Sequence, residues 1–253
     1  MAEQLIAARD LLRGAARVVA LTGAGVSTAS GIPDFRSEDS GLWVKYHPFE
    51  VASLTGFRHH PERFYDWIRP LAQLMRDAEP NAAHHALARL EARGLLHEIV
   101  TQNIDLLHTR AGSRVVHELH GSMREVTCVE CFHISPAEPI LSAFIENDAL
   151  PRCRACRGLL KPNVILFGEQ LPYGVLQAAR RAVRAADVLL VAGSSLEVSP
   201  AAEMPLMALA AGARLIVVNY APTFVDGDAD VVIREDVADV LPRLADLLEE
   251  TPA

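Results

Sequence analysis

The side chains best suited to chemistry in this sequence lie in residues 101–105 (TQNID) and at His120. Together they supply two amides, a carboxylate and an imidazole. The segment 96–100 (LHEIV), with Leu96, Ile99 and Val100 apolar, comes just before them and predicts a strand ending in a polar loop, where α/β folds carry their active sites. Such groups can hold a carboxamide, orient a ribose and accept a proton from a hydroxyl. A capped loop that opens a helix is the structural alternative, because Asn103 and Asp105 are both good helix caps.

A glycine turn follows the apolar run 17–22 (RVVALT) directly, in the order Gly23, Ala24, Gly25. A turn of this kind lets the backbone approach a pyrophosphate, and N–H groups near a helix start attract its charge. The pattern is not the full G-x-G-x-x-G, because Thr28 takes the third glycine position. No acidic residue clearly ends a second strand farther on. By itself, the turn is compatible with a dinucleotide site or with a plain tight turn.

The string GIPDFR at residues 31–36 follows this turn. Pro33 stiffens a turn, Phe35 offers a flat face for a nicotinamide ring, and Arg36 can contact phosphate. Taken singly, these residues also suit structural roles: a core phenylalanine, a surface arginine and, at Asp34, a structural carboxylate. Their occurrence in one string after a glycine turn favours a cofactor loop.

Four cysteines form two C-x-x-C pairs, Cys128 with Cys131 and Cys153 with Cys156. This spacing suits a tetrahedral zinc site that holds together an insert too small to build its own core. Four sulfur ligands leave no open coordination position, so the zinc would be structural. Redox pairs and free thiols are the alternatives.

Composition limits the kinds of partner. The chain has 253 residues, 50% of them hydrophobic, and a formal net charge of −8. This size accommodates one large α/β domain with a small insert. The acidic excess disfavours a general affinity for nucleic acid, and the sequence has neither a signal pattern nor an apolar stretch of membrane-spanning length. We therefore expect a cytoplasmic protein without direct nucleic-acid or membrane partners.

Apolar runs alternate with helical segments along the chain. This pattern predicts an α/β fold: a Rossmann-like, mostly parallel sheet with helices on both faces, plus a small inserted zinc-binding module. Strands are predicted at residues 17–22, 96–100, 115–119, 163–167, 188–192, 215–219 and 231–233. We divide the single domain 1–253 into a large part (approximately 1–36, 78–122 and 160–253) and a small part. The small part comprises a helical insert (approximately 37–77) and the zinc module (approximately 123–159).

Several of these segments resemble one known family. GAGVSTASGIPDFR (residues 23–36) resembles the signature of the sirtuins, which are NAD-dependent protein lysine deacylases. TQNIDLLHTRAG and ELHG resemble the catalytic segment of that family, and GSSLEVSPAAEMP and VNYAPT resemble its later cofactor-binding strands. The resemblance runs from about residue 15 to the C-terminus and is nearest to the short bacterial and archaeal members.

The resemblance implies a protein lysine deacetylase that consumes NAD and releases nicotinamide, O-acetyl-ADP-ribose and the deacetylated lysine. Proteins with acetylated or otherwise acylated lysines would be its partners, NAD its co-substrate, and one zinc ion its structural metal. His120 would be the general base, with Asn103 and Asp105 as further catalytic residues. Mono-ADP-ribosyl transfer and a non-catalytic NAD or acyl-lysine sensor are the alternatives.

The resemblance also implies two sets of binding residues. The cofactor set comprises Gly23, Ala24, Gly25, Thr28, Asp34, Phe35, Arg36, Gln102, Asn103, Ile104, Asp105, His120, Gly193, Ser194, Ser195, Asn219 and Val237. The peptide set comprises Val164, Phe167, Gly168, Glu169, Leu196 and Val198, on the two edges between which sirtuins clamp an extended peptide.

The acyl group is predicted from one helix position. Sirtuins that prefer succinyl or malonyl lysine carry Tyr-x-x-Arg after the cofactor loop. Here Tyr65 is followed by Ile68 at the arginine position, and Arg69 comes one residue late, about 100° around the helix. We predict an apolar acyl pocket and a preference for acetyl or similar uncharged groups.

Overall fold

The structure, a computed structural model, describes residues 1–34, 46–147 and 149–249. Its strands are β1 Val18–Thr22, β2 Glu98–Thr101, β3 Val116–Glu118, β4 Gly121–Cys128, β5 Ile134–Pro136, β6 Leu160–Val164, β7 Val188–Ala192, β8 Arg214–Val218 and β9 Val231–Ile233. Its helices are α1 Ala2–Gly14, α2 Pro48–Val51, α3 Leu54–His59, α4 Pro61–Asp77, α5 Ala82–Ala92, α6 Leu107–Arg110, α7 Glu138–Asn147, α8 Tyr173–Arg184, α9 Met204–Ala210 and α10 Val237–Glu249.

Six parallel strands form the main sheet, in the order β3-β2-β1-β7-β8-β9. All residues of β1 and β7 are buried, as expected for parallel strands covered on both faces. The strand order reverses between β1 and β7, because β2 and β3 are added on one side of β1 and the later strands on the other. Open α/β sheets bind ligands at this switch point, beyond the carboxyl ends of the strands. The predicted Rossmann-like fold is confirmed.

Helices cover the two faces of the sheet with separate hydrophobic cores. On one face, α1, α5 and α10 contribute Leu5, Leu87 and Leu241. On the other face, α8 and α9 contribute Val183 and Ala208. The apolar stripe of α5 explains its orientation, because Ala83, Ala86, Leu87 and Leu90 recur at helical spacing and are buried.

A third core lies between the remaining helices and a second, smaller sheet. This sheet is antiparallel, in the order β5-β4-β6. Aromatic residues of α4 and α7 fill the core, with the rings of Tyr65 and Phe144 meeting edge to face at 5.0 Å. The strand predicted at 163–167 is observed instead at Leu160–Val164. It pairs with β4 in the small sheet. The sequence could not predict this pairing, because apolar periodicity does not show which sheet a strand joins.

Among the described residues, no helix combines the length and the apolar character needed to cross a membrane.

Candidate active site

A cavity of about 1010 Å³ opens at the carboxyl ends of β1, β2, β7 and β8. It is large for a small-molecule pocket, so it can take a dinucleotide together with one arm of a second substrate. All described members of the predicted cofactor set line it: Gly23, Ala24, Gly25, Thr28, Asp34, Gln102, Asn103, Ile104, Asp105, His120, Gly193, Ser194, Ser195, Asn219 and Val237. Phe35 and Arg36 lie outside the described residues.

The glycine turn packs tightly against the loop that follows β7. A Cβ atom on Gly25 would lie 2.9 Å from the Gly193 Cα, and one on Gly193 would lie 2.5 Å from the Val26 nitrogen. Gly193 also has a positive φ of 59°. The Gly25 N–H donates to the Gly193 carbonyl at 2.9 Å. These glycines therefore bring two loops of the protein together. The turn leads into short 3₁₀ turns at Ala24–Val26 and Thr28–Ser30 and not into an α-helix.

A buried hydrogen-bond network holds Asp105. The Ser27 hydroxyl donates to Asp105 Oδ2 at 2.6 Å, and the Leu107 N–H donates to Oδ1 at 2.9 Å. Asn103 Nδ2 donates in turn to the Ser27 hydroxyl at 3.0 Å. Burial raises the pKa of Asp105, and the hydrogen bonds from Ser27, Leu107 and Asn103 oppose that rise. Each carboxylate oxygen keeps a second lone pair, which can accept a hydrogen bond from a ligand amide.

Backbone contacts set the tautomer of His120. Its Nδ1 lies 3.0 Å from the Gln102 carbonyl oxygen. A carbonyl can only accept, so Nδ1 carries the proton and Nε2 is the basic nitrogen. The Gln102 side chain donates from Nε2 to the Ser194 hydroxyl at 2.9 Å. This contact links the loop after β2 with the loop after β7 across the floor of the cavity.

The two predicted peptide edges face the same cavity. Val164, Phe167, Gly168, Glu169 and Val198 all line it. Leu196 is not among the lining residues. Its side chain is 3% exposed and belongs to the core beneath α8 and α9.

One wall of the cavity is apolar and comes from the helical segment. Trp67, Ile68 and Met75 of α4 line it together with Ile32 and Ile104.

Arg69, which follows Ile68 on α4, contacts Phe144 and Asp66. The Arg69 guanidinium lies 4.6 Å from the Phe144 ring centre, and its Nη2 lies 3.9 Å from Asp66. Tyr65 is fully buried and its hydroxyl donates to the Leu160 carbonyl, so burial raises its pKa. Neither Tyr65 nor Arg69 is among the residues that line the cavity.

The four cysteines come together where β4 ends and just before β6 begins. Their sulfur atoms all lie within 4.8 Å of one another, with Cys128–Cys156 at 3.4 Å and Cys131–Cys153 at 3.8 Å. A tetrahedral zinc with Zn–S bonds of about 2.3 Å requires sulfurs about 3.8 Å apart, so the cluster fits this ion. Backbone N–H groups of Cys131 and Glu130 lower the pKa of Cys128 to about 7, which favours the metal-binding thiolate.

Several cavity residues were not predicted as site residues: Ser27, Trp67, Met75, Tyr220, Glu235 and Asp236. Ser27 had a usable signal, since it lies inside the GAGVST string. The others lie on helices or loops whose local pattern indicates only burial or exposure, and tertiary packing turns them towards the cavity.

Comparisons with known proteins agree with this geometry. The model of the Sir2 family matches residues 23–200. The chain is 44% identical to NAD-dependent protein deacylase 2 of Archaeoglobus fulgidus over 247 residues, which covers 97% of this chain and 96% of that protein. A solved structure described as a structural basis for the mechanism and regulation of Sir2 enzymes superposes with a TM-score of 0.92 at 43% identity, covering 98% and 99% of the two chains. A second, of Sir2 with a deacetylated p53 peptide and 3′-O-acetyl-ADP-ribose, has a TM-score of 0.89 at 41% identity and covers 94% and 96%. This chain belongs to the Sir2 family.

Proposed function

We propose that the protein is an NAD-dependent protein lysine deacetylase. The observation that carries the proposal is the placement of Asp105 and His120 in one cavity, at the switch point of a Rossmann-like sheet. The similar Archaeoglobus protein is named as an NAD-dependent deacylase, and the similar Sir2 complex contains a deacetylated peptide and an acetylated ADP-ribose. Both names fit the chemistry that these two side chains can perform.

Asp105 anchors the nicotinamide end of NAD. Ser27 and Leu107 fix its carboxylate, and the remaining lone pairs accept from the carboxamide NH₂ group. Folding fixes the Asp105 carboxylate before NAD binds, so the carboxamide meets an acceptor that is already in place. Asn103, held to Ser27, orients ribose or water, and Gln102 binds the ribose.

The acyl oxygen of the modified lysine attacks the ribose carbon as nicotinamide leaves, which gives an imidate. His120 Nε2 then accepts the proton of a ribose hydroxyl, directly or by relay, and that oxygen attacks the imidate carbon. The Gln102 carbonyl holds the Nδ1 proton, so the imidazole keeps its basic nitrogen in one orientation. Water completes the release of lysine and O-acetyl-ADP-ribose.

The acyl group is uncharged. The cavity wall of Trp67, Ile68 and Met75 is apolar, and among the described residues no arginine or lysine lines the cavity to pair with a succinyl or malonyl carboxylate. Such a carboxylate would lose its hydration without gaining an ionic partner. Arg69, the residue after Ile68 on this helix, contacts Phe144 and Asp66.

The zinc site and the cellular setting follow from the cysteines. The four thiols hold one structural zinc, which ties β4 to the segment before β6 and leaves the chemistry to the cavity. Thiols that serve as metal ligands suit a reducing compartment such as the cytoplasm.

The test combines NAD, an acetyl-lysine peptide and purified protein, with nicotinamide and O-acetyl-ADP-ribose as readouts. Nicotinamide release should depend on the peptide, and steady-state formation of O-acetyl-ADP-ribose should fall by at least about 100-fold in His120→Ala, because His120 acts after nicotinamide has left, whereas ADP-ribose binding persists. His85→Ala is the matched control, because His85 is exposed on α5, and it should keep wild-type activity. Label transferred to protein without acyl-peptide would favour mono-ADP-ribosyl transfer. Binding without turnover would favour a sensor, and either result would reject deacetylation.

A further inference from the structure

Arg234 lies immediately after β9, at the same edge of the sheet as the cavity. Its Nη1 donates to the Asn219 carbonyl at 3.2 Å and to the Ala221 carbonyl at 3.0 Å. Its Nη2 forms an ion pair with Asp226. One guanidinium therefore holds both ends of the loop at residues 219–226, which follows β8.

The rest of this loop is organised around the same ion pair. Asp226 accepts from the Thr223 N–H at 3.0 Å and from the Thr223 hydroxyl at 2.6 Å. Asn219 Nδ2 donates to the Ala221 carbonyl at 2.8 Å, so the amide nitrogen is occupied within the loop. Val225 is fully buried and anchors the loop in the core beneath α8 and α9.

The loop that Arg234 contacts and the segment that follows Arg234 in the chain both line the cavity. Asn219, Tyr220 and Ala221 belong to the loop after β8, and the residues that follow Arg234 directly, 235–237, belong to the segment after β9. Arg234 fastens the first segment to the second. Strand order places β8 and β9 on the opposite side of β1 from β2, whose end carries Asp105. The loop at residues 219–226 therefore lies at the end of the cavity away from the nicotinamide site.

We propose that Arg234 is a positioning residue for the second nucleotide of NAD, the adenosine half. It holds Asn219 and its neighbours in the geometry that receives a ribose and a purine, and it acts without taking part in the chemistry. This inference rests on the proposed function, because it assumes that NAD is the ligand. Arginine suits this position because its two terminal nitrogens lie apart: Nη1 reaches the two carbonyls while Nη2 pairs with the carboxylate, whereas a lysine would have to reach all three acceptors from one nitrogen.

The chain offers a matched control at the other end of the same two strands. Arg214 begins β8 and forms an ion pair with Asp230, just before β9. Asp230 also accepts from the Leu215 N–H at 2.8 Å, much as Asp226 accepts from a backbone N–H. Each arginine thus joins β8 to β9 through an aspartate, but only Arg234 does so beside the cavity.

The experiment compares Arg234→Met, Arg234→Lys and Asp226→Asn with Arg214→Met. For each variant, the Kd of ADP-ribose is measured by titration calorimetry, and the KM of NAD, the KM of the acetyl-peptide and kcat are measured separately. Arg234→Met should raise the Kd of ADP-ribose and the KM of NAD by about tenfold or more. The peptide KM and kcat at saturating NAD should stay within about twofold. Arg234→Lys and Asp226→Asn should give intermediate values, and Arg214→Met should match wild type.

An Arg234→Met protein that binds ADP-ribose as Arg214→Met does would overturn the inference. So would a rise in the peptide KM as large as the rise in the KM of NAD, because general loosening would then explain both. If Arg234→Met does not fold, the Kd of Asp226→Asn decides in the same way. Wild-type protein that binds ADP-ribose without deacetylating would reject the proposed function alone. Wild-type protein that does not bind ADP-ribose would reject the inference as well.

Discussion

Two buried histidines next to the glycine turn should lower the free energy of unfolding in mild acid. His84 is 0% exposed and His108 is 2% exposed, and their rings meet edge to face at 4.9 Å. His108 Nε2 lies 2.9 Å from the hydroxyl of Thr22, the residue before the glycine turn. The Asn81 N–H donates to His84 Nδ1 at 3.3 Å in the cap of α5. Burial lowers the pKa of His84 to about 4 and that of His108 to about 3.

The sign follows from proton linkage. Both histidines have a folded-state pKa below the value of about 6.5 in the unfolded chain, so the unfolded chain binds more protons in mild acid. Stability is therefore complete above about pH 7 and falls as the pH drops through 6.5, until the folded state itself takes up protons near pH 4. At about pH 5 each histidine should lower the free energy of unfolding by about 2 kcal/mol relative to about pH 7.5, and the pair should lower it by about 4 kcal/mol. The free energy of unfolding of a typical domain is only about 5–15 kcal/mol.

Urea unfolding at about pH 7.5 and about pH 5 measures this cost. Between the two conditions wild-type protein should lose about 2 kcal/mol more stability than His84→Asn, because one of the two titrating histidines is gone and the other groups are shared. His85→Asn is the control on the same helix and should lose nearly the wild-type amount, since His85 is exposed and burial, the larger cause of the low His84 pKa, is unchanged. The zinc site is the same in all three proteins, so acid effects on the metal cancel in the comparison. Equal losses in wild type and His84→Asn would refute the reasoning.

Three further predictions concern packing, metal and specificity. Gly193→Ala should destabilise the protein by more than about 3 kcal/mol and weaken ADP-ribose binding, because its new Cβ would collide with the Val26 nitrogen. Gly212 also has a positive φ, but a Cβ there would meet open space, so Gly212→Ala should lower the stability by only about 1 kcal/mol; thermal unfolding measures both variants. Removing zinc with a chelator should lower Tm by more than about 10 °C and should be reversed by added zinc, whereas Cys131→Ser should stay destabilised in zinc; a zinc-independent Tm would contradict the assignment. Ile68→Arg should raise the ratio of desuccinylation to deacetylation by about tenfold or more, whereas Leu74→Arg, at an exposed position of α4, should leave the ratio unchanged in a peptide panel.

Much of the fold could be predicted because its signals are local. The fully buried strands β1 and β7 appear in the sequence as short apolar runs, and Asn81 before an apolar stripe marks the start of α5. The two C-x-x-C pairs indicate a metal cluster without knowledge of the fold, because ligand type and spacing are set within a few residues. The Rossmann-like sheet and the family are both confirmed.

Other features depend on residues far apart in the chain. The strand expected at 163–167 is found at Leu160–Val164, in the small antiparallel sheet, where it pairs with β4, a strand about 40 residues earlier in the chain. The glycine turn suggested a pyrophosphate cradle, and the structure shows that Gly25 and Gly193 also bring two loops into contact. Phe35 and Arg36, expected beside the cofactor, lie outside the described residues.

The sequence by itself determined which chemical groups the protein has and the strand ends at which they lie, because residue type and apolar periodicity act over short stretches. Only the tertiary structure decided how those groups meet. It joined Ser27 to Asp105, turned Arg69 away from the cavity onto Phe144, and placed Arg234 against the loop after β8. Each of these contacts joins separate elements, and its geometry follows from how the sheets and helices pack together and not from any local pattern.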